Sequence, residues 1–217
     1  GQLRLSDRVS QHIPEFAANG KQAITVLHLL THQGGLIADN SINDYADGPE
    51  KAIENIWQLK PTAEPGAKFT YSDVGFIVLG ELVRKLTGQS VHEFSRDNIF
   101  VPLGMAATGY LPPNELRQRA APTEQRDGHW MRGEIHDPRA FKLGGIAGHA
   151  GLFGTADDLA VFAQMLLNRG EFCGAQILGP QTVDLMTRPV SVPGGTRCLG
   201  WDHRTGYSSN RGETMSS

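Results

Sequence analysis

The segment Pro65-Gly66-Ala67-Lys68-Phe69-Thr70-Tyr71-Ser72-Asp73-Val74-Gly75-Phe76-Ile77-Val78-Leu79-Gly80-Glu81-Leu82-Val83-Arg84-Lys85-Leu86 organises the reading of this sequence. It begins with a Pro-Gly turn. Val74, Val78, Leu82 and Leu86 then recur every four residues, joined by Ile77, Leu79 and Val83, which is the stripe of an amphipathic helix from about Ser72 to Leu86. Glu81 and Lys85 stand four apart on its polar side in the favourable order, and Gly88 stops it. Tyr71-Ser72-Asp73 therefore sits where turn becomes helix, at the end that carries unpaired N–H groups and partial positive charge. A tyrosine there can shuttle a proton if a cation lies close, because a phenol with a pKa of about 10 needs help to act as a base at neutral pH. The plainer reading makes Ser72 or Asp73 the helix N-cap, with the Tyr71 ring packed as a staple.

Working outward, Thr25 reads as the N-cap of a helix from Val26 to His32, stopped by Gly34-Gly35. Leu3, Leu5, Val9, Ile13 and Phe16 form an apolar set that Pro14 interrupts, so that stretch is short helical or irregular. Pro49 to Leu59 is an amphipathic helix with Ile53, Ile56, Trp57 and Leu59. Val91 to Phe100 is another, ending before Pro102-Leu103-Gly104. Residues 111–151 are rich in Pro, Gly, Arg and His and read as long loops, with a strand pair near His129 to Ile135. Thr155-Ala156-Asp157-Asp158 resembles a capping box, and the helix it opens is expected to bury Leu159, Phe162, Ala163, Leu166 and Leu167. Pro180 to Met186 is a last short helix, and residues 189–217 read as loops or strands. Strand signal is scarce throughout.

At 217 residues, 39% hydrophobic and 20% charged, the chain has the composition of a folded domain with a sizeable core. Lys plus Arg is 20 against 23 Asp plus Glu, a net charge of −3 with no basic run, which argues against a nucleic-acid partner. No apolar run approaches the ~18 residues of a membrane span. Two cysteines, Cys173 and Cys198, are too few for a disulfide framework or a metal knuckle and read as free structural thiols. The 26 glycines exceed the usual ~7% and imply many tight turns.

Other candidates for chemistry are weaker. His28 and His32 stand four apart, a zinc-compatible spacing, but no Glu follows His28, so hydrogen bonding to the Gly34-Gly35 turn is the better explanation. His129, His136, Asp137 and His149 form a loose set without regular ligand spacing, better explained as polar loop anchors. Gly144-Gly145-Ile146-Ala147-Gly148-His149-Ala150-Gly151 lacks the Gly-Lys-Ser/Thr ending of a phosphate loop and reads as a tight turn bringing backbone close to a pocket or core. No Gly-x-Ser-x-Gly elbow is present, and no serine in these 217 residues is followed three positions on by Lys.

Four segments together resemble the serine β-lactamase and penicillin-binding-protein-like hydrolases, in the class C-like branch that includes D-alanyl-D-alanine carboxypeptidases and esterases. They are Ile24 to Leu36, Pro65 to Asp73, Phe100 to Met105 and Gly148 to Leu159, in the family's order. The resemblance implies an α+β fold of the β-lactamase/transpeptidase type, of which this chain is mainly the helical lobe with loops and few strands. Tyr71 matches the Tyr of the family's Tyr-x-Asn motif, implying proton relay to and from a nucleophilic Ser. The same resemblance implies that Ser72 and Asp73 belong to the substrate-binding or proton network. Asp73 takes the Asn place; an ionised Asp cannot donate to a substrate carbonyl as Asn does, but it could hold the Lys ammonium of a Ser-x-x-Lys motif. Arg204-Thr205-Gly206 looks superficially like the family's Lys/His-Thr/Ser-Gly motif, although Gly200-Trp201-Asp202 and Gly206 to Gly212 resemble the stretch just before it.

The expectation is a middle fragment of a serine hydrolase that acts through an acyl-enzyme on D-Ala-D-Ala peptides, β-lactams or small esters. The fragment alone is expected to be inactive. It would use no metal or other cofactor, and the family setting implies a periplasmic or extracellular location. The alternative is a non-catalytic module of the same fold that binds peptidoglycan peptides or a partner protein.

Overall fold

The computed structural model describes residues 2–208. Nine α-helices lie among them: α1 (Val9–His12), α2 (Val26–Leu30), α3 (Pro49–Trp57), α4 (Asp73–Thr87), α5 (Val91–Ser95), α6 (Asn114–Arg117), α7 (Pro138–Lys142), α8 (Ala156–Leu167) and α9 (Pro180–Thr187). The strands are short: β1 (Gly109–Tyr110) pairs with β4 (Leu152–Phe153), β2 (Pro122–Arg126) with β3 (His129–Arg132), and β5 (Glu171–Phe172) with β6 (Ala175–Gln176). Only β7 (Val190–Val192), β8 (Gly195–Cys198) and β9 (Trp201–Arg204) make a three-stranded antiparallel sheet. Helices with small sheets match the α+β expectation.

Helix α4 is the spine. Ser72 caps it by accepting the Gly75 N–H at 3.1 Å, and Gly88, in the left-handed conformation at φ 73°, ends it. Val74, Ile77, Val78 and Leu82 are buried in the main core with Val9, Phe16, Ile24, Leu29, Tyr45 and Ile56. Each such buried side chain contributes about 1.5–3 kcal/mol. On the polar side Glu81 accepts from Arg84 Nε at 2.9 Å, so the expected partner, Lys85, is displaced by a neighbour three residues on.

Thr25 caps α2 as expected, its hydroxyl accepting the His28 N–H, but the helix stops at Leu30 and His32 turns left-handed at φ 57°. Lys21 is fully buried beside the same core, its ammonium donating to the carbonyls of Ala18, Trp57 and Leu59. Three donors meeting three acceptors make that burial tolerable. Residues 91–100 are helical, as α5 followed by a wider π turn over Arg96–Phe100.

The second core, Phe100, Leu103, Met105 and Met165, corrects one expectation. On α8 it is Met165 that is fully buried, whereas Leu159 and Leu167 are 65% and 77% exposed. Asp158 gives the reason. Its carboxylate accepts the Ala107 N–H and the Thr108 hydroxyl, at 3.0 Å and 2.7 Å, and this long-range contact sets the helix rotation. Both cysteines are free: Cys173 is exposed, and Cys198 is buried with its thiol on the Thr187 carbonyl.

Candidate active site

Three parts of the chain converge on the N-terminus of α4. Tyr71 is 41% exposed, unusual for a ring so well packed. It stacks on the His32 imidazole at a centroid distance of 4.3 Å. His32 is 3% exposed and also touches Phe69 and Phe76. Its Nδ1 accepts the Ser72 backbone N–H at 3.0 Å, so the ring is neutral with its proton on Nε2. Burial, followed by the charge of Arg197, pushes the His32 pKa from 6.5 to about 4. His32 was expected on the Gly34-Gly35 turn; instead it supports the tyrosine. His28 takes the local role, its Nδ1 accepting the Thr25 N–H.

Arg197 on β8 is the cation near Tyr71. Its guanidinium lies 5.8 Å from the Tyr71 ring centroid and 5.9 Å from that of Phe69. It is buried and donates to Asp202 at 3.1 Å, and its Nε has no acceptor among the described residues. Nothing in the sequence around residue 197 marks it; only the hairpin of β8 and β9 places it there. Asp202 also accepts from the hydroxyls of Thr205 and Ser208, which pins the loop carrying Tyr207. The Tyr207 ring sits 5.0 Å from that of Tyr71. In Arg204-Thr205-Gly206 the threonine hydroxyl is thus engaged with Asp202. Most of the Gly206 to Gly212 stretch, residues 209–212, lies outside the described residues.

Ser72 is buried, its hydroxyl accepting from Gly75 and donating to the Ile37 carbonyl at 2.6 Å, so its polar capacity is engaged inside the fold. Asp73 is half-buried and meets Asp137 and His149: one ligand-type atom of each lies within 4.8 Å of the others. His149 contacts Asp137 Oδ1 through Nε2 at 3.0 Å, and that same oxygen accepts the Ala140 N–H at 2.7 Å. Of the loose set His129, His136, Asp137 and His149, only the last two come together, while His129 and His136 are exposed. This trio is a donor set of the type that could hold a cation. Burial, together with Asp39 and Asp137, raises the Asp73 pKa against the opposing effect of His149. Burial alone would raise Asp137 too, but the Ala140 N–H and His149 hold it below the usual carboxylate range.

The glycine-dense segment explains how His149 arrives. A Cβ on Gly148 would lie 2.1 Å from the Phe76 carbonyl oxygen and 2.9 Å from the Gly80 nitrogen, so only glycine lets this loop lie against α4. A cavity of about 540 Å³ lies farther along α4, among Trp57, Glu81, Arg84 and Ile146, and Tyr71 does not line it.

A family model described as Beta-lactamase matches residues 1–214. A Bacillus subtilis (strain 168) protein named N-acetylmuramyl-L-alanine amidase is 32% identical over 238 residues, which cover 96% of this chain and 54% of that protein. An Escherichia coli (strain K12) protein provisionally named D-alanyl-D-alanine carboxypeptidase is 32% identical over 230 residues, covering 93% and 53%. The chain thus spans about half the length of the curated relatives it matches. Among solved structures, a penicillin-binding protein homolog from Caulobacter crescentus has a TM-score of 0.71 at 20% identity, covering 92% of this chain and 60% of that one. The octameric penicillin-binding protein homologue from Pyrococcus abyssi gives 0.69 at 24% identity, covering 92% and 48%. These structural likenesses carry the fold and the family model carries the lineage: the chain belongs to the β-lactamase family.

Proposed function

We propose that this chain is part of a serine hydrolase that cleaves amide or ester bonds through an acyl-enzyme, with Tyr71 as its proton relay. The observation that carries the reading is the Tyr71 environment: a solvent-accessible phenol at a helix N-terminus, stacked on a buried neutral imidazole, with a buried guanidinium over its ring. No serine of the 217 residues has Lys three positions on, and the reading assigns the nucleophile and its lysine to residues outside these 217. The substrate class is D-Ala-D-Ala peptides, β-lactams or small esters; the names of the Bacillus and Escherichia relatives support cell-wall peptides, and with them a periplasmic or extracellular location. No helix among the described residues is long and apolar enough to cross a membrane.

The test is turnover of p-nitrophenyl acetate and of an N-acylated D-Ala-D-Ala dipeptide by the complete protein. Tyr71→Phe is expected to lower kcat by about 100-fold or more, the range of general acid–base contributions, with the fold intact. The 217 residues alone are expected to show no turnover above their own Tyr71→Phe control. A complete protein whose Tyr71→Phe variant keeps its rate refutes the relay, and peptide binding without turnover favours the non-catalytic module.

A further inference from the structure

Helix α8 is apolar on two opposite faces. Met165 is fully buried on one, in the core with Phe100, Leu103 and Met105. On the other, Ala156, Leu159, Ala160, Ala163 and Leu167 are all exposed. At about 3.6 residues per turn these positions fall within an arc of about 100°, opposite Met165. Asp157 and Gln164 only edge that stripe. A helix at a protein surface carries its polar residues opposite the core, whereas one that is apolar all round is enclosed on both sides. The stripe also continues beyond the helix. At its N-terminal end Leu159 and Phe162 line a cavity of about 400 Å³ with Phe100, Met105, the exposed Leu152 and Phe153. On its flank the Phe162 ring stacks on the exposed Trp201 of β9, at a centroid distance of 6.4 Å. Among the described residues β9 pairs only with β8, so its outer edge is open. Asp202, the next residue, holds Arg197 beside Tyr71, and the apolar face thus reaches the support of the site. Contiguous exposed apolar surface marks an interaction site, whereas scattered single residues need no explanation.

We propose that the outer face of α8, with Leu152 and Trp201, is an intramolecular seam, along which an apolar element from the rest of the complete protein lies. Residues 209–217, with Met215 as their one apolar side chain, are too polar to cover it. A second copy is a poor occupant: a 12-residue helix is about 18 Å long and about 10 Å wide, well short of the ~800 Å² per partner that a stable dimer buries. The curated relatives, in contrast, carry about as much polypeptide again beyond the region that matches this chain. Ala156, Ala160 and Ala163 let the covering element approach closely, and Leu159 and Leu167, about 12 Å apart along the axis, interlock with it. The apolar offsets of α8 are then satisfied by two partners, the Phe100 core on one side and this element on the other.

Unfolding of this chain by itself does not read the outer face, because none of its described residues covers it; the test uses the complete protein. p-Benzoylphenylalanine incorporated in place of Leu167 is photoactivated in an equal mixture of isotopically light and heavy protein, and crosslinked peptides are identified by mass spectrometry. A crosslink within one molecule, to a residue outside this chain, is expected. Light-to-heavy crosslinks place a second copy on the face, and a crosslink confined to this chain, or none, leaves the face open; each of these overturns the proposal. The smaller substitution Leu167→Cys, in a Cys173→Ser background that removes the exposed thiol, serves if the bulky residue prevents folding. The thiol at position 167 is expected to react with N-ethylmaleimide at least about 10-fold more slowly in the native complete protein than in urea, and a smaller difference overturns the proposal. Neither measurement involves turnover, so the seam and the serine-hydrolase reading stand or fall separately.

Discussion

Acid should loosen the support under Tyr71 before it unfolds the rest of the molecule, and the substitution that reveals this is His32→Asn. His32 is neutral in the fold because its Nδ1 accepts the Ser72 N–H, and its pKa is depressed to about 4 from 6.5. A depressed pKa means that the unfolded chain binds the proton first. The stability that neutral His32 provides is complete above pH 6.5 and is lost as pH falls toward 4. The loss amounts to about 2 kcal/mol at pH 5 and about 3 kcal/mol at pH 4, and burial at 3% exposure leaves little solvent to screen it. Asparagine suits the site on two counts. It tolerates the left-handed φ of 57°, and its carbonyl can accept the Ser72 N–H. The variant gives up ring packing against Phe69, Tyr71 and Phe76, so it begins less stable, but it cannot titrate. Urea unfolding of both proteins at pH 7 and pH 5 compares the slopes, with the acid response of His28 and the carboxylates common to both. The wild type should lose about 2 kcal/mol more than His32→Asn over that interval. Equal losses would refute the claim that His32 is held neutral.

Three further substitutions probe the fold that carries the site. Met165→Ala should cost about 2–5 kcal/mol by urea or thermal unfolding, whereas Leu167→Ala on the same helix should stay within about 0.5 kcal/mol, because only Met165 is enclosed. Lys21→Met should cost at least about 3 kcal/mol: burial lowers its pKa only to about 8, so at neutral pH an ammonium serves the carbonyls of Ala18, Trp57 and Leu59, and a thioether leaves all three unpaired. Gly148→Ala should cost about 1–3 kcal/mol and pull the loop from α4, seen as faster amide exchange at Gly80 and in the loop, because its methyl group would strike the Phe76 carbonyl.

The local grammar of the chain was readable where one segment decides its own structure. Helix α4, its Ser72 cap and its Gly88 stop depend on residues within one turn of each end, and so do the Thr25 and Thr155 caps. Rotation of a helix about its axis does not. On α8 the apolar offsets from Leu159 to Leu167 suggested one face, while Asp158, reaching back to Ala107 and Thr108, turned another inward. A hydrophobic stripe specifies that a helix has an inside; which residue lies deepest is settled by partners fifty positions away.

The site divides along the same line. Tyr71 and Asp73 stood out because a Pro-Gly turn and a helix start frame them and because the segment resembles the family's Tyr-x-Asn motif; the frame alone read as an N-cap and a packed ring. His32, Arg197, Asp137 and His149 were not assigned there, since each acts through a contact that closes a long loop. His32 reaches Ser72 across 40 residues, and the glycine loop brings His149 back to a helix that ends more than sixty residues earlier. Glycine density was nevertheless a usable signal. Gly148 admits backbone where any side chain would collide, so a run of glycines followed by a histidine marks a place where a titratable group can be delivered against a packed helix. The same argument ties Asp73 to its surroundings: Asp137 and His149 meet it only because the tertiary fold brings them into contact.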